Sequence, residues 1–265
     1  MKCQFIDYYI SLKQFQAKIN QTSKHYINIA LTVTPSANHF GSDFILPKSG
    51  QHPFDKNKNP LTLLAEFNLS TIPSKYLTSI NFPVDGILQF YISEFSELYG
   101  MDYKHLNASD GFKVIYLIDK DKPPSNQSSN LGNLVENRAQ ITNPFFIASK
   151  SYPVDFELKS MTITPTDYQF EQVLPELSAS DNQEAYSQYN DTTVKSGIRF
   201  GGYPYFIQQD PRLDQKFKDY ILLFQVDSVD GIWSWGSMGV ATFLIDPVDL
   251  ILLDFSKVLF YWDCE

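Results

Sequence analysis

Residues 199–210, RFGGYPYFIQQD, carry the reading that decides the fold. Gly201 and Gly202 follow an Arg-Phe pair and precede Tyr-Pro-Tyr-Phe. Adjacent glycines serve either a loop that lets a ligand approach the backbone or a turn with positive φ. A phosphate loop needs Lys-Ser/Thr after its last glycine, and a dinucleotide loop needs a third glycine opening a helix. Tyr203 and Pro204 supply neither, and a residue before proline resists the helical region. The stretch therefore reads as a turn. It has a counterpart about 160 residues earlier: HFGSDFILPKSG, residues 39–50, shows the same aromatic-glycine-small pattern.

The correspondence continues outward from this turn. LLAEFN (63–68) aligns with LLFQVD (222–227), and GILQFYI (86–92) with GVATFLI (239–245), in the same order and at similar spacing. Two β-rich halves follow, about 1–118 and 145–265. Between them, residues 119–144 are polar and turn-rich with two consecutive prolines, the composition of a linker. Short strands cover only part of a core, so the halves are expected to pack together as one globular unit over 1–265. HYINIALTV (25–33) and FKVIYLI (112–118) read as further strands. In YPVDFELKSMTI (152–163), Val154, Phe156 and Leu158 alternate with Asp155, Glu157 and Lys159, the period of a half-solvated strand. Tyr8, Leu12, Phe15 and Ile19 predict a helix over 7–20. Thr164-Pro165-Thr166-Asp167 predicts the cap of a short helix running to about Val173. Ser180, three residues before Gln183, predicts a capping box for a polar helix that ends before Gly197. The expected fold class is α+β: mainly antiparallel β, two weakly duplicated halves packed together, with a few peripheral helices.

Of the 265 residues 43% are hydrophobic and 15% aromatic, enough for a true core and suited to pleated, half-buried surfaces. Against 30 acidic groups stand only 21 basic ones, a net charge of −9. Phosphate neutralisation lacks the cations it needs, so no nucleic-acid partner is expected, and a basic protein is the natural complement. No run reaches the roughly 18 apolar residues of a membrane span. Asp7 and Lys13 interrupt the N-terminal stretch, and two cysteines, Cys3 and Cys264, make no disulfide framework. The chain reads as cytoplasmic, with reduced thiols and no membrane association.

The search for chemistry yields no catalytic set, no metal site and no cofactor site. His25, His39, His52 and His105 form no His-x-x-x-His pattern and read as surface or turn histidines. DSVDG (227–231) lacks the alternating oxygen ligands and distal glutamate of a calcium loop. GIWSWG (231–236) has one residue too many before Ser234 for a nucleophile elbow. What remains is a binding set: Arg199, Gly201, Gly202, Tyr203, Gln225, Asp227, Trp233 and Trp235. Trp233, Trp235, Tyr203 and Tyr205 either line an aromatic groove or pack in the core. Arg199, Gln225, Asp227 and Trp235 are the polar and aromatic lining expected of a cleft between the halves.

FGGYP (200–204), ILLFQVDS (221–228), WGSMG (235–239), FLI (243–245) and DFSKVLFYWDC (254–264) together resemble, in order, the YwqG-like family, a bacterial family of unknown function. The likeness is strong over 197–264 and faint over 35–92. It implies a cytoplasmic α+β protein with a duplicated, largely antiparallel core, and it brings no reaction. The family pattern places Asp after the Trp-Gly pair, where this chain has Ser237. It also implies an immunity-type role against a secreted toxin. The expected function is a non-enzymatic interaction protein that binds and neutralises a basic partner. The alternative is a small-ligand or carbohydrate-binding protein, or an unrecognised enzyme, that uses a cleft between the halves.

Overall fold

The structure is a computed structural model that describes residues 12–41, 44–45, 52–94, 96–118, 128–129 and 150–265. Helix α1 (Gln16–Gln21) leads into β1 (Lys24–Leu31), followed by β2 (His39–Phe40), β3 (Phe44–Ile45), β4 (Thr62–Asn68), helix α2 (Ser74–Ser79), β5 (Ile87–Ile92), β6 (Phe112–Leu117) and β7 (Ser128–Ser129). The second part contains β8 (Tyr152–Met161), helices α3 (Phe170–Val173), α4 (Pro175–Ser178) and α5 (Gln183–Thr192), then β9 (Ile198–Gly201), β10 (Ile221–Asp227), β11 (Val240–Ile245), helix α6 (Pro247–Ile251) and β12 (Leu259–Asp263). The expected linker lies outside the described residues except for β7, which pairs with β3. The same holds for the first part of the helix expected over 7–20.

Ten strands form one sheet in the order β12-β11-β10-β9-β1-β8-β2-β4-β5-β6, and every pairing is antiparallel. That order reads as two five-strand blocks meeting at β1 and β8. The blocks correspond strand by strand: β2 with β9, β4 with β10, β5 with β11, β6 with β12. Registers agree as well. His39 faces Glu66 where Arg199 faces Gln225, and Glu66 faces Gln89 where Gln225 faces Thr242. Each block carries a register shift at the same place, between Leu63 and Ala65 and between Leu222 and Phe224. The α+β, mainly antiparallel architecture with duplicated halves is thus the observed one.

One feature of the pairing was not visible in the sequence. β1, from the first half of the chain, sits in the second block beside β9, while β8, from the second half, sits in the first block beside β2. The two exchanged strands pair with each other over eight residues, from Lys24↔Met161 to Leu31↔Val154. Separating the halves would strip a strand from each and expose two unpaired edges, so the blocks are interlocked rather than merely stacked.

The inner face of the curled sheet is filled by phenylalanines drawn from both blocks. Phe90 meets Phe224 at 4.6 Å between ring centroids, Phe67 meets Phe200 at 4.8 Å, and Phe243 meets Phe260 at 4.7 Å. Such pairs contribute roughly 0.5–1.5 kcal/mol each beyond their area burial. The edge strands also approach one another: Phe112 of β6 lies 5.3 Å from Phe260 of β12, and the Phe260 amide donates to the Leu106 carbonyl at 3.0 Å. On the outer face, a second apolar cluster of Phe15, Ile19, Tyr26, Met161, Phe170, Leu177, Tyr189 and Tyr203 holds α1 and α3 to α5 against the sheet. Among the described residues no helix is long and apolar enough to cross a membrane.

Two capping readings are corrected. Thr164 is fully buried and its hydroxyl donates to the Pro204 carbonyl at 2.9 Å, so it caps no helix and α3 begins only at Phe170. The Ser180 hydroxyl turns to Asp181, a 3₁₀ turn spans Ser180–Asn182, and α5 begins at Gln183. In both places a side chain suited to capping found a different partner. The histidines need correction too. His39 and His52 are buried, at 8% and 9% exposure, rather than superficial. His39 Nδ1 lies 2.9 Å from the Gly41 carbonyl, and His52 Nε2 lies 2.7 Å from that of Leu61. Burial pushes the His52 pKa below its usual value.

Candidate functional site

Gly201 and Gly202 adopt φ of +67° and +73°, and the counterpart Gly41 adopts +73°. All three lie in the left-handed region that glycine occupies without steric cost. A Cβ on Gly202 would fall 2.7 Å from Met161 Sδ and 2.9 Å from Tyr26 Cβ. The space that a ligand would need is therefore already taken by the protein. The loop beyond is consumed in the same way. The Tyr203 hydroxyl donates to the Thr22 carbonyl at 2.8 Å, and the Tyr205 amide donates to Gln225 Oε1 at 2.9 Å. The Ile207 and Gln208 amides both donate to the Asp263 carboxylate. Desolvation raises the Asp263 pKa even so. Burial also pushes the Tyr203 hydroxyl up to about 12.

Arg199, Gln225 and Asp227 do come together. The Arg199 side chain is 1% exposed and lies on the outer face of β9, where its guanidinium donates to the carbonyls of Ser196, Lys195 and Tyr203 at 3.0–3.1 Å. It also donates to Gln225 Oε1 at 2.8 Å. The Gln225 amide nitrogen donates onward to Asp227 Oδ1 at 3.2 Å, and to the Lys195 and Gly197 carbonyls at 3.1 Å. One neutral amide thus bridges a buried cation and a carboxylate, and its orientation is fixed by the charges at its two ends. Burial lowers the Arg199 pKa to about 10, which leaves it a cation at neutral pH.

Of these three residues only Asp227 opens onto solvent-accessible space. It lines a cleft of about 830 Å³ with Tyr152, Ser228, Asp230, Trp233 and Met238. The cleft lies between the start of β8 and the loop that joins β10 to β11, where the rings of Phe40 and Trp233 stack at 4.7 Å. Asp227 Oδ2 accepts the Gly197 amide at 2.7 Å, and its backbone carbonyl accepts Trp233 Nε1 at 2.7 Å. Desolvation outweighs these donors and the nearby Arg199 charge, and raises the carboxyl pKa to about 6. Among the described residues no lysine or arginine forms an ion pair with it.

The structure therefore divides the expected binding set. Asp227 lines the cleft; Trp233, 2% exposed, belongs to the core and only borders it; Arg199 and Gln225 stand behind Asp227; Gly201, Gly202 and Tyr203 build the adjoining loop. Trp235 is fully buried and packs edge-on to Tyr99 at 5.2 Å, away from any lining role. Sequence reasoning missed Met238, which is 75% exposed on the cleft with φ +51°. Its signal was present in WGSMG, a large apolar side chain placed between turn residues. Ser237, where the resembled family has Asp, is exposed, and its carbonyl accepts the Glu265 amide at 3.2 Å. Among the described residues no group of three or more His, Cys, Asp or Glu is placed to hold a metal ion.

A family model described as a domain of unknown function, DUF1963, matches residues 39–264. No curated protein matches the chain.

Proposed function

Because the chain belongs to the DUF1963 family, whose description as a domain of unknown function names no activity, we propose a function from the cleft itself: it receives a cationic group of a basic partner protein. The observation that carries this reading is Asp227, a carboxylate at the edge of an aromatic cleft with neutral hydrogen-bond donors and no ion-pair partner among the described residues. A lysine or arginine entering the cleft would supply a direct ion-pair partner, in addition to the Arg199 charge held behind Gln225, while its aliphatic stem packs against Tyr152 and Met238. The net charge of −9 steers such a partner toward the chain. The likeness of residues 197–264 to the YwqG-like family supports the same reading and suggests an immunity-type, cytoplasmic, non-enzymatic protein that neutralises a basic toxin domain.

Affinity purification from the source cells tests this. The wild type is expected to retain a basic protein in stoichiometric amount, and Asp227→Asn and Met238→Ser to lose it while keeping the wild-type melting temperature within a few degrees. Absence of a stoichiometric partner, or equal retention by both variants, would overturn the proposal. A second reading rests on the cleft volume, which lies in the roughly 300–1,000 Å³ range of small-molecule sites. A carbohydrate or other small ligand, with or without turnover, would then occupy the same walls, and a thermal-shift screen would show a reproducible stabilisation.

A further inference from the structure

Helix α6 is anchored on one side only. The Asp246 carboxylate accepts the Val248 amide at 2.8 Å as the N-cap, and Leu250, Phe255 and Val258 are buried beneath the helix and the turn that follows it. On the other side, Val248, Ile251, Leu252 and Leu253 are 60%, 76%, 68% and 41% exposed. Four large apolar side chains within six residues form a contiguous exposed patch, which a soluble surface seldom keeps without a use. Leu253 sharpens the point. It sits in the left-handed region at φ +58°, held by its amide donating to the Leu250 carbonyl at 3.1 Å and by Asp254 N donating to the Asp249 carbonyl at 2.8 Å. Glycine occupies that helix-terminating position without strain, so the fold gains nothing from a leucine there.

The segment that carries the patch is itself acidic. Asp246, Asp249 and Asp254 flank it, and the one cation among residues 246–257 is Lys257, whose Nζ lies 3.7 Å from Asp249. We propose that α6 and its following turn form a docking surface for a basic protein partner whose apolar contact is ringed by lysine or arginine. A second copy of this chain fits poorly, because self-association would bring the same three carboxylates together on each rim. The surface shares no residue with the Asp227 cleft. It lies at the other end of β11, a strand of six residues spanning about 20 Å. The inference does not depend on what the cleft binds.

The test uses two synthetic amphipathic peptides, one of Leu and Lys and one of Leu and Glu, each with a photo-crosslinker, titrated into the full chain by fluorescence anisotropy. The Leu/Lys peptide is expected to bind saturably and to crosslink within residues 246–257. The Ile251→Ser/Leu252→Ser variant is expected to weaken binding about tenfold, and Leu213→Ser, at an exposed leucine outside both surfaces, to leave it unchanged. Leu253→Gly is the decisive variant: it should raise the melting temperature by about 2 °C and still weaken binding, a split that a purely structural role would not produce. No saturable binding, equal binding of the Leu/Glu peptide, absence of any crosslink within residues 246–257, or unchanged affinity of Leu253→Gly would each overturn the proposal. So would a dimer in sedimentation that Ile251→Ser dissociates.

Discussion

His39 and Glu66 face each other across β2 and β4; Arg199 and Gln225 face each other across β9 and β10. In the first block the more deeply buried ionisable member of the pair is an acid, 4% exposed, which accepts Gln89 Nε2 at 2.6 Å and lies 4.0 Å from His39 Nε2. In the second block it is a guanidinium, 1% exposed, set among three carbonyls and an amide oxygen. The repeated backbone thus requires a satisfied polar pair at this position and leaves its sign open. What decides the sign in the second block is the covering chain: residues 195–197 and Tyr203 turn carbonyl oxygens toward β9, and these call for a donor with several N–H groups.

Three substitutions that import the first block's residue into the second test how far the blocks are interchangeable. Arg199→His is expected to do most damage. It deletes donors to the Ser196, Lys195 and Tyr203 carbonyls, leaves Asp227 without its nearby cation, and shrinks a fully packed side chain; a loss of about 3–5 kcal/mol is expected in chemical denaturation. A loss below about 1 kcal/mol would mean that the guanidinium is dispensable to the fold. Gly202→Ser imports the residue that follows Gly41. Its Cβ would press on Met161 and Tyr26 at a left-handed φ, costing roughly 1–3 kcal/mol. Met161 Sδ is a flexible neighbour and Tyr26 Cβ is not, so a companion Met161→Ala change should recover only part of that loss.

Asp227→Asn, which imports the counterpart Asn68, should have the smallest effect and the most specific signature. The folded-state pKa of about 6 lies above the usual carboxylate value, so the fold favours the protonated form. Ionised Asp227 therefore costs stability at neutral pH, and that cost is relieved as the pH falls through 6 toward 4. The wild type should gain stability over that window relative to the variant, by at most roughly 3 kcal/mol. At pH 7 the two should differ by about 1 kcal/mol or less, because the asparagine NH2 group would confront Gln225 Nε2. Parallel stability profiles for the two proteins between pH 4 and 7 would show that the carboxyl is not raised.

Much of this architecture could be read from the chain. The aligned runs LLAEFN and LLFQVD became β4 and β10 with the same bulge, and the glycines of the two turns share one left-handed conformation. Hydrophobic alternation and glycine conformation are local properties, so residues 39–68 and 199–227 disclosed them without any partner in view. The candidate site was only partly legible. Arg199, Gln225 and Asp227 were singled out together and do interact, yet burial separates their duties, and Met238 went unnoticed because an isolated methionine carries no periodic signal.

By itself the sequence determined the strand content, the duplication and the surplus of negative charge, since each follows from composition, period or internal likeness. The tertiary structure alone decided that β1 and β8 change places, that Thr164 serves Pro204 rather than a helix, and that His39 and His52 lie inside. It also decided that one carboxylate of the polar trio reaches the cleft while its guanidinium stays sealed behind it. The physical reason is common to all of these. Pairing between strands more than a hundred residues apart, and the choice among hydrogen-bond partners, are settled by what packing brings within about 3 Å, and no local pattern records that distance.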